Sequence, residues 1–119
     1  MANDSIRNGR QDPRVSYRDP VQVSLIGHPE QVRYLLAEDL SVSGLMLFSA
    51  EPYPLHARLL MDIEPAAESE PIRLIGQVVW YARVDRQERY RMGVQLIEVD
   101  DVTKERLREL VAARAQAIV

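Results

Sequence analysis

The sequence predicts a mainly β domain in which six strands form a small barrel and one α-helix follows at the C-terminus. Six runs of alternating or β-branched apolar residues are separated by segments rich in Gly, Pro, Asp and Ser, which is the pattern of strands joined by turns. The C-terminal segment instead repeats apolar residues at helical spacing. With 119 residues, of which 46% are hydrophobic and 28% charged, the chain has the size and composition of one soluble domain with a core.

Residues 1–13 predict an arm that does not fold on its own. They contain one large apolar residue, Ile6, and end in Asp12-Pro13. A segment with so little apolar surface to bury stays mobile in the absence of a partner. We therefore expect two parts, a flexible N-terminal arm over residues 1–13 and a folded domain over residues 14–119.

The first half of the domain predicts three strands. The first begins near Val15 and alternates apolar and polar residues up to residue 25, after which a turn with Gly and Pro leads into a second strand over residues 31–38. The two strands form a hairpin. The polar residues 39–44 then form a loop, and a short third strand over residues 45–49 follows.

The second half predicts three more strands, over residues 57–63, 72–84 and 90–99. Residues 64–71 carry acidic side chains and proline, which is typical of an exposed loop. Gly76, inside the long fifth strand, predicts a bulge or kink where the strand bends to close a barrel. Six strands at this spacing are typical of a small barrel.

A C-terminal helix is predicted over about residues 101–115. Asp100 and Asp101 offer side-chain oxygens for its N-cap. A single apolar stripe at spacings of three, four and seven residues is formed by Leu107, Leu110, Val111 and Ile118. The helix should pack this stripe on the barrel.

The composition argues against several classes of function. The chain has no Cys, and its two His, His28 and His56, stand alone in loops, so no metal site is expected. No nucleophile–base or paired-carboxylate arrangement stands out, so we do not expect an enzyme. No apolar run approaches the ~20 residues of a membrane span, and the N-terminus is polar. The domain should therefore be cytoplasmic, without membrane insertion.

Two polar stretches predict a site for an anionic ligand. The first stretch lies between two apolar strands and contains Asp39, Ser41 and Gly44. Asp39 supplies a hydrogen-bond acceptor and Ser41 a hydroxyl. Gly44 lets the backbone take a positive φ or admit a close ligand. Arg10 and Arg14 lead into the first strand. They supply local positive charge although the net charge of the chain is −3.

The order and spacing of these motifs carry a resemblance to a known family. R-x-x-x-R at Arg10 and Arg14 is followed, after one strand, by D-x-S-x-x-G at Asp39, Ser41 and Gly44. The tail contains Gly76-Gln77-Val78-Val79-Trp80 and Arg91-Met92-Gly93-Val94-Gln95-Leu96. In this order the segments resemble the PilZ domain family of cyclic di-GMP receptors. Arg14 and Arg18 form a second R-x-x-x-R, but the strand pattern begins directly after Arg14, which favours the first pair.

The resemblance implies a six-stranded antiparallel barrel of Greek-key-like topology with a flanking helix. Such a domain binds cyclic di-GMP on its outer surface, without turnover and without another cofactor. Arg forks match the O6/N7 edge of guanine or a phosphate, which is the role implied for Arg10 and Arg14. Asp39 would accept from the guanine N1–H and N2–H₂ donors, Ser41 would donate to a phosphate oxygen, and Gly44 would bring the loop backbone close.

Two further residues belong to the implied site. Trp80 lies where some family members place an aromatic side chain that stacks on a guanine, and packing within the barrel is the alternative. Arg7 can reach the ligand from the arm. Gly9 stands where another Arg in some relatives favours two stacked copies of the ligand, so the number of ligands per domain is left open.

Three interpretations remain open from the sequence. The favoured one is a monomeric adaptor whose arm becomes ordered on binding cyclic di-GMP and which signals to an unidentified protein partner, in a process such as motility or biofilm formation. A degenerate PilZ-like module would act through protein contacts without the nucleotide. An OB-like barrel would bind single-stranded nucleic acid, but a net charge of −3 with one Phe and one Trp suits such binding poorly.

Overall fold

The computed structural model describes residues 14–65, 70–84, 86 and 88–116. The predicted arm over residues 1–13 and Ile118 of the predicted stripe lie outside these ranges. The described part contains seven strands and one helix: β1 (Val15–Ser16), β2 (Pro20–Leu25), β3 (Arg33–Leu40), β4 (Gly44–Ser49), β5 (Arg58–Ile63), β6 (Ile72–Arg83), β7 (Tyr90–Ile97) and α1 (Asp101–Gln116).

Six of the strands close into an antiparallel barrel. Their order is β3-β2-β5-β6-β7-β4, and an additional pairing of β3 with β4 joins the two ends. Because β2 pairs with β5 and β4 pairs with β7, the chain crosses between strands that are not consecutive, as in Greek-key arrangements. The short β1 pairs with β3. The predicted barrel with a C-terminal helix is confirmed.

The hydrophobic core fills the barrel and extends beneath the helix. Successive side chains of a strand point to opposite faces, so alternate residues are buried. The largest fully buried side chains are Tyr17, Leu40, Leu45, Leu47, Leu59, Met61, Ile63, Ile72, Met92, Leu107, Val21 and Val23. This core determines which side chains face outward and are available to a ligand.

Helix α1 packs on the barrel through its apolar stripe. Leu107, Leu110 and Val111 are buried. The carboxylate of Asp100 accepts a 2.7 Å hydrogen bond from the Thr103 N–H, which makes Asp100 the N-cap and lowers its pKa. In the part of the chain that the structure describes, no helix has the length and apolar character needed to cross a membrane.

The last turns of α1 are held against the segment between β1 and β2. Arg114 forms an ion pair with Asp19, and its guanidinium lies 4.6 Å from the centre of the Tyr17 ring. The Tyr17 hydroxyl is buried and has no hydrogen-bond partner among the described residues. Burial, reinforced by Asp19, raises the pKa of Tyr17 to about 12. The chain that follows residue 14 is therefore fixed to the helix.

The polar loop predicted over residues 39–44 is shorter than expected. Both neighbouring strands extend into it, so that only residues 41–43 connect them. β3 continues because Asp39 pairs with Ser16 of β1 as well as with β4. β1 itself has only two residues, which are too few to show the alternation by which a strand is predicted from the sequence.

Candidate functional site

The structure brings together two of the predicted site residues that are far apart in sequence. The Arg14 guanidinium donates a 2.6 Å hydrogen bond to the Asp39 carboxylate. β1 causes this contact, because it begins directly after Arg14 and pairs Ser16 with Asp39. The Arg14 side chain is 48% exposed and that of Asp39 23%. The ion pair therefore lies on the surface, where a ligand can compete for either partner.

Asp39 begins a row of residues that crosses four neighbouring strands. Asp39 of β3 pairs with Met46 of β4, Met46 pairs with Gly93 of β7, and Gly93 pairs with Trp80 of β6. We call these four residues the site row. Neighbouring strands lie ~4.8 Å apart, so three steps span roughly 14 Å. The row thus places a carboxylate with its arginine at one end and an indole at the other.

A β-bulge gives Asp39 its outward position. Ala37 is fully buried, and in a regular strand Asp39, two residues later, would share its inward face. The register between β3 and β4 shifts between these two residues, which makes Glu38 the extra residue of a bulge. The bulge changes the alternation, so Asp39 faces outward while the next residue, Leu40, returns to the core.

A second bulge does the same for Trp80 at the other end of the row. Val78 is fully buried, yet Trp80 is 41% exposed, because the register between β6 and β7 shifts between them and leaves Val79 as the extra residue. The bulge predicted at Gly76 is wrong. Gly76 keeps regular pairing with both neighbouring strands and is buried, with the Val94 side chain so close that a Cβ would meet it at 2.4 Å.

Trp80 lies on the outer surface of the barrel and not in its core. Its indole covers Gly93, where an added Cβ would come within 2.1 Å of the indole Nε1 atom. The ring is therefore supported by backbone on one side while part of its surface is open to solvent. The alternative that Trp80 is a buried barrel residue is wrong.

Ser41 is buried and fastens the turn between β3 and β4. Its Oγ accepts hydrogen bonds from the backbone N–H groups of Ser43 and Gly44, each at 3.2 Å, and lies 3.1 Å from the Ser43 hydroxyl. The Ser41 N–H donates to the Gly44 carbonyl at 2.8 Å. In this arrangement the Ser41 hydroxyl shapes the loop beside the site row, and the Ser43 side chain is the more exposed of the two.

Two reasons were predicted for a glycine at position 44, a positive φ or the close approach of a ligand. The positive φ is wrong, since among the described glycines only Gly27 has one, at 97°. The close approach of a ligand stays a prediction. Gly44 is the first residue of β4 and pairs with Gln95 of β7. A Cβ at this position would lie 2.4 Å from the Val94 carbonyl oxygen. The glycine therefore allows a close approach of β4 and β7 next to the site.

A second ion pair, which the sequence did not predict, lies beside the first. Arg91 of β7 lies 3.4 Å from the carboxylate of Glu38, the bulge residue of β3. Its guanidinium is also 5.8 Å from the centre of the Phe48 ring, on the strand between them. Arg91 belongs to the tail motif, but only the β3–β4–β7 pairing shows that it borders the site row. The bulge thus carries two consecutive carboxylates, each paired with an arginine.

Two predicted site residues, Arg7 and Arg10, lie outside the described residues. Of the others, Arg14, Asp39 and Trp80 face the same outer surface, and Ser41 and Gly44 form the turn at its edge. Among the described residues, no group of three or more His, Cys, Asp and Glu side chains is arranged to hold a metal ion.

The sequence matches the PilZ domain over residues 8–113. The matched region extends over most of the 119-residue chain and includes both motifs, the site row and most of helix α1. The chain therefore belongs to the PilZ domain family, and the resemblance found in the sequence is confirmed. No curated protein matches the sequence significantly.

Solved structures with the same fold come from several bacteria. The PilZ domain of YcgR from Escherichia coli, solved with c-di-GMP, matches with a TM-score of 0.73 at 14% identity over 92% of this chain and 93% of that one. MotI/DgrA, an inhibitor of motility from Bacillus subtilis, matches with a TM-score of 0.72 at 18% identity, over 91% of this chain and 52% of that one. The MrkH–c-di-GMP complex of K. pneumonia matches with a TM-score of 0.68 at 17% identity, over 87% of this chain and 51% of that one. The chain thus spans about half the length of MotI/DgrA and of MrkH. At these identities the likeness shows the fold.

Proposed function

We propose that this chain is a cyclic di-GMP receptor that binds the nucleotide, without turnover, along the site row. The observation that carries the proposal is the Arg14–Asp39 pair at 2.6 Å, placed across the same outer surface from a half-exposed Trp80. The PilZ family membership and the c-di-GMP complexes of the structural neighbours YcgR and MrkH support the same ligand.

The chemistry of the site row matches the groups of this ligand. Cyclic di-GMP carries two guanines and two phosphates. A carboxylate such as Asp39 accepts from the N1–H and N2–H₂ donors of a guanine, and an arginine fork binds the O6/N7 edge or a phosphate. Arg14 supplies one fork, and we assign Arg10 and Arg7 of the arm to the others. The indole of Trp80 offers its open face to a guanine, and a base–aromatic stack contributes ~1–3 kcal/mol.

Ser41 and Gly44 contribute through the turn that borders the row. We assign them the task of holding the β3–β4 loop backbone against the ligand, because the Ser41 hydroxyl is bonded within the turn. To donate to a phosphate directly, the Ser41 hydroxyl would have to give up its 3.2 Å hydrogen bond to the Gly44 carbonyl. The neighbouring Ser43 is partly exposed, and we assign its hydroxyl, which lies 3.1 Å from Ser41 Oγ, to a phosphate oxygen.

We further propose that binding orders the arm and that the protein then signals to a partner in the cytoplasm, as a monomeric adaptor. The arm carries Arg7 and Arg10 but little apolar surface, so the ligand's phosphates and guanine edges supply the charge-assisted hydrogen bonds that fix it. The ordered arm and the nucleotide together form a surface that did not exist before. A protein partner that reads this surface would control motility or biofilm formation.

Calorimetric titration tests the proposed ligand. We expect the chain to bind cyclic di-GMP and to bind neither GTP nor short single-stranded DNA with comparable affinity, and the same titration gives the number of ligands per chain. A folded chain that gives no heat with cyclic di-GMP would contradict the receptor assignment. Preferential binding of single-stranded DNA would favour a nucleic-acid binder, and no nucleotide binding at all would favour a protein-interaction module.

Two arginine variants test the site. Arg14→Ala should weaken binding by roughly 5- to 150-fold, the equivalent of the ~1–3 kcal/mol of a bidentate arginine–guanine contact. Arg73→Ala is the matched control, because Arg73 is another exposed arginine in an ion pair. Its Nε atom, on strand β6, lies 3.0 Å from the Asp62 carboxylate on strand β5. The control variant should bind as the wild type does. Equal affinity of the two folded variants would remove Arg14 from the site.

A further inference from the structure

Trp80 lies so close to the Gly93 backbone, at one end of the site row, that position 93 has no room for a side chain. The three atoms nearest to a Cβ added at Gly93 are the indole Nε1, Cε2 and Cδ1 atoms, at 2.1, 2.5 and 2.7 Å. All three belong to the five-membered ring of Trp80, so this ring lies directly over the Gly93 backbone. Any other residue at position 93 would occupy the space that the ring now fills.

Glycine is a costly residue inside a strand, because it loses the most conformational freedom on folding and offers no side chain to pack. Gly93 lies within β7 and has strand neighbours on both sides, Met46 on β4 and Trp80 on β6. It has no positive φ, so the backbone conformation does not demand glycine. The contact with the indole is the feature of the structure that does.

We propose that Gly93 is a positioning residue that holds the Trp80 indole flat against the sheet as a ready-made stacking platform for a guanine of cyclic di-GMP. The inference rests on the proposed function and extends it to how the site positions the aromatic ring for the base. The bulge at Val79 brings Trp80 to the outer face, and the missing side chain at Gly93 fixes the ring there. A ring that is already in place loses little conformational freedom when a base stacks on it, so the stack contributes more of its energy to affinity.

The contact itself can be observed without ligand and without a variant. Trp80 is the only Trp of the chain, so its indole N–H and its fluorescence report on one site. In the wild type we expect NMR cross-peaks between the indole N–H and the Gly93 Hα protons, and ring-current shifts of those protons that disappear in Trp80→Ala. Absence of both signals in the folded wild-type protein would overturn the proposal.

A double-mutant cycle tests the role in binding. Gly93→Ala should lower the affinity for cyclic di-GMP by roughly 5- to 150-fold, as Trp80→Ala should, because each removes the same stack of ~1–3 kcal/mol. The double variant should bind no more weakly than Trp80→Ala alone, since Gly93 acts through the indole. In the free protein, Gly93→Ala should also make the tryptophan more accessible to acrylamide quenching.

The cycle separates the proposal from its alternatives. If Gly93→Ala weakens binding as strongly in the Trp80→Ala background as in the wild type, Gly93 does not act through Trp80 and the proposal is wrong. If Gly93→Ala proves too unstable to titrate, the double variant should fold again, because removing the indole vacates the space for the new methyl group. An equally unstable double variant would contradict the inference. If the wild type does not bind cyclic di-GMP, the proposed function is wrong. The NMR signals of the free protein would still show whether Trp80 contacts Gly93.

Discussion

At the scale of single residues, the site depends on contacts that a pattern of residue types does not reveal. The nature of Arg14, Asp39 and Trp80 could be recognised in the sequence, because a charged or aromatic residue next to an apolar strand is visible there. The reason why position 44 needs glycine could not be recognised there, because the oxygen that leaves no room for a Cβ belongs to Val94, on another strand. The role of Gly93 depends in the same way on Trp80. Glycines that serve a close approach look the same in a sequence as glycines that serve a turn.

We predict that Gly44→Ala lowers the free energy of unfolding by about 1–3 kcal/mol, the usual cost of forcing an extra group into a packed site. The new Cβ would lie 2.4 Å from the Val94 carbonyl oxygen, so β4 and β7 must separate. The Ser41 turn and the site row should move with them, and affinity for cyclic di-GMP should fall. Urea unfolding and calorimetry measure the two effects.

Gly27→Ala is the control for this variant. Gly27 has a positive φ of 97° and no atom within 4 Å of an added Cβ, so this variant strains the backbone without crowding a neighbour. It should lose some stability and keep its affinity for the ligand. A Gly44→Ala protein as stable as the wild type would show that the close approach of β4 and β7 is not what requires glycine.

At the scale of secondary-structure elements, the strands and the helix could largely be predicted, while their register could not. Alternating apolar residues mark the strands in the sequence, and Leu107, Leu110 and Val111 mark the helix. The site row exists because one extra residue in β3 and another in β6 change which face Asp39 and Trp80 occupy. Neither bulge residue is a glycine or a proline, so nothing local in the sequence distinguishes it.

The contact between α1 and the β1–β2 segment leads to a prediction about alkaline pH. Burial raises the pKa of Tyr17 from 10.0 to about 12. A folded-state pKa above the unfolded one means that the neutral tyrosine is favoured in the folded protein. Its contribution to stability is therefore complete below pH 10 and is lost as the pH rises from about 10 to about 12.

The variant Tyr17→Phe tests this prediction. At neutral pH it should be as stable as the wild type or more stable, because the hydroxyl it removes is buried without a partner among the described residues. Between pH 10 and 12 it should lose less stability than the wild type does. Thermal unfolding over this pH range measures the difference. Parallel loss of stability in both proteins would show that Tyr17 does not titrate with unfolding.

At the scale of the whole molecule, one short segment, residues 14–19, connects the proposed ligand surface with helix α1. Arg14 and Ser16 contact β3 at the site row, and Tyr17 and Asp19 contact Arg114 of the helix. The arm enters the domain through this same segment. Ordering of the arm by a ligand would therefore take place next to the attachment of α1.

We predict that amide exchange of residues 5–13 slows markedly when cyclic di-GMP binds, because the ligand supplies partners for Arg7 and Arg10. The binding should be enthalpy-driven with an opposing entropy, as expected for coupled ordering, and should weaken with salt. The comparison is the amide exchange of the same residues in the Arg14→Ala variant at saturating ligand. An arm that exchanges at the same rate with and without ligand would refute the ordering while leaving the binding site unaffected.

The most direct test of the binding site is an NMR titration of the isotope-labelled chain with cyclic di-GMP, followed at every assigned amide and at the Trp80 indole N–H. The site row predicts that the largest shift changes fall on residues 14–16, 39–46, 79–81 and 91–95, together with the indole. Residues 58–63 and 72–75, on the strands that carry the Arg73–Asp62 pair, should change little. Saturable binding with its largest changes on that second surface, and none along the row, would contradict the account.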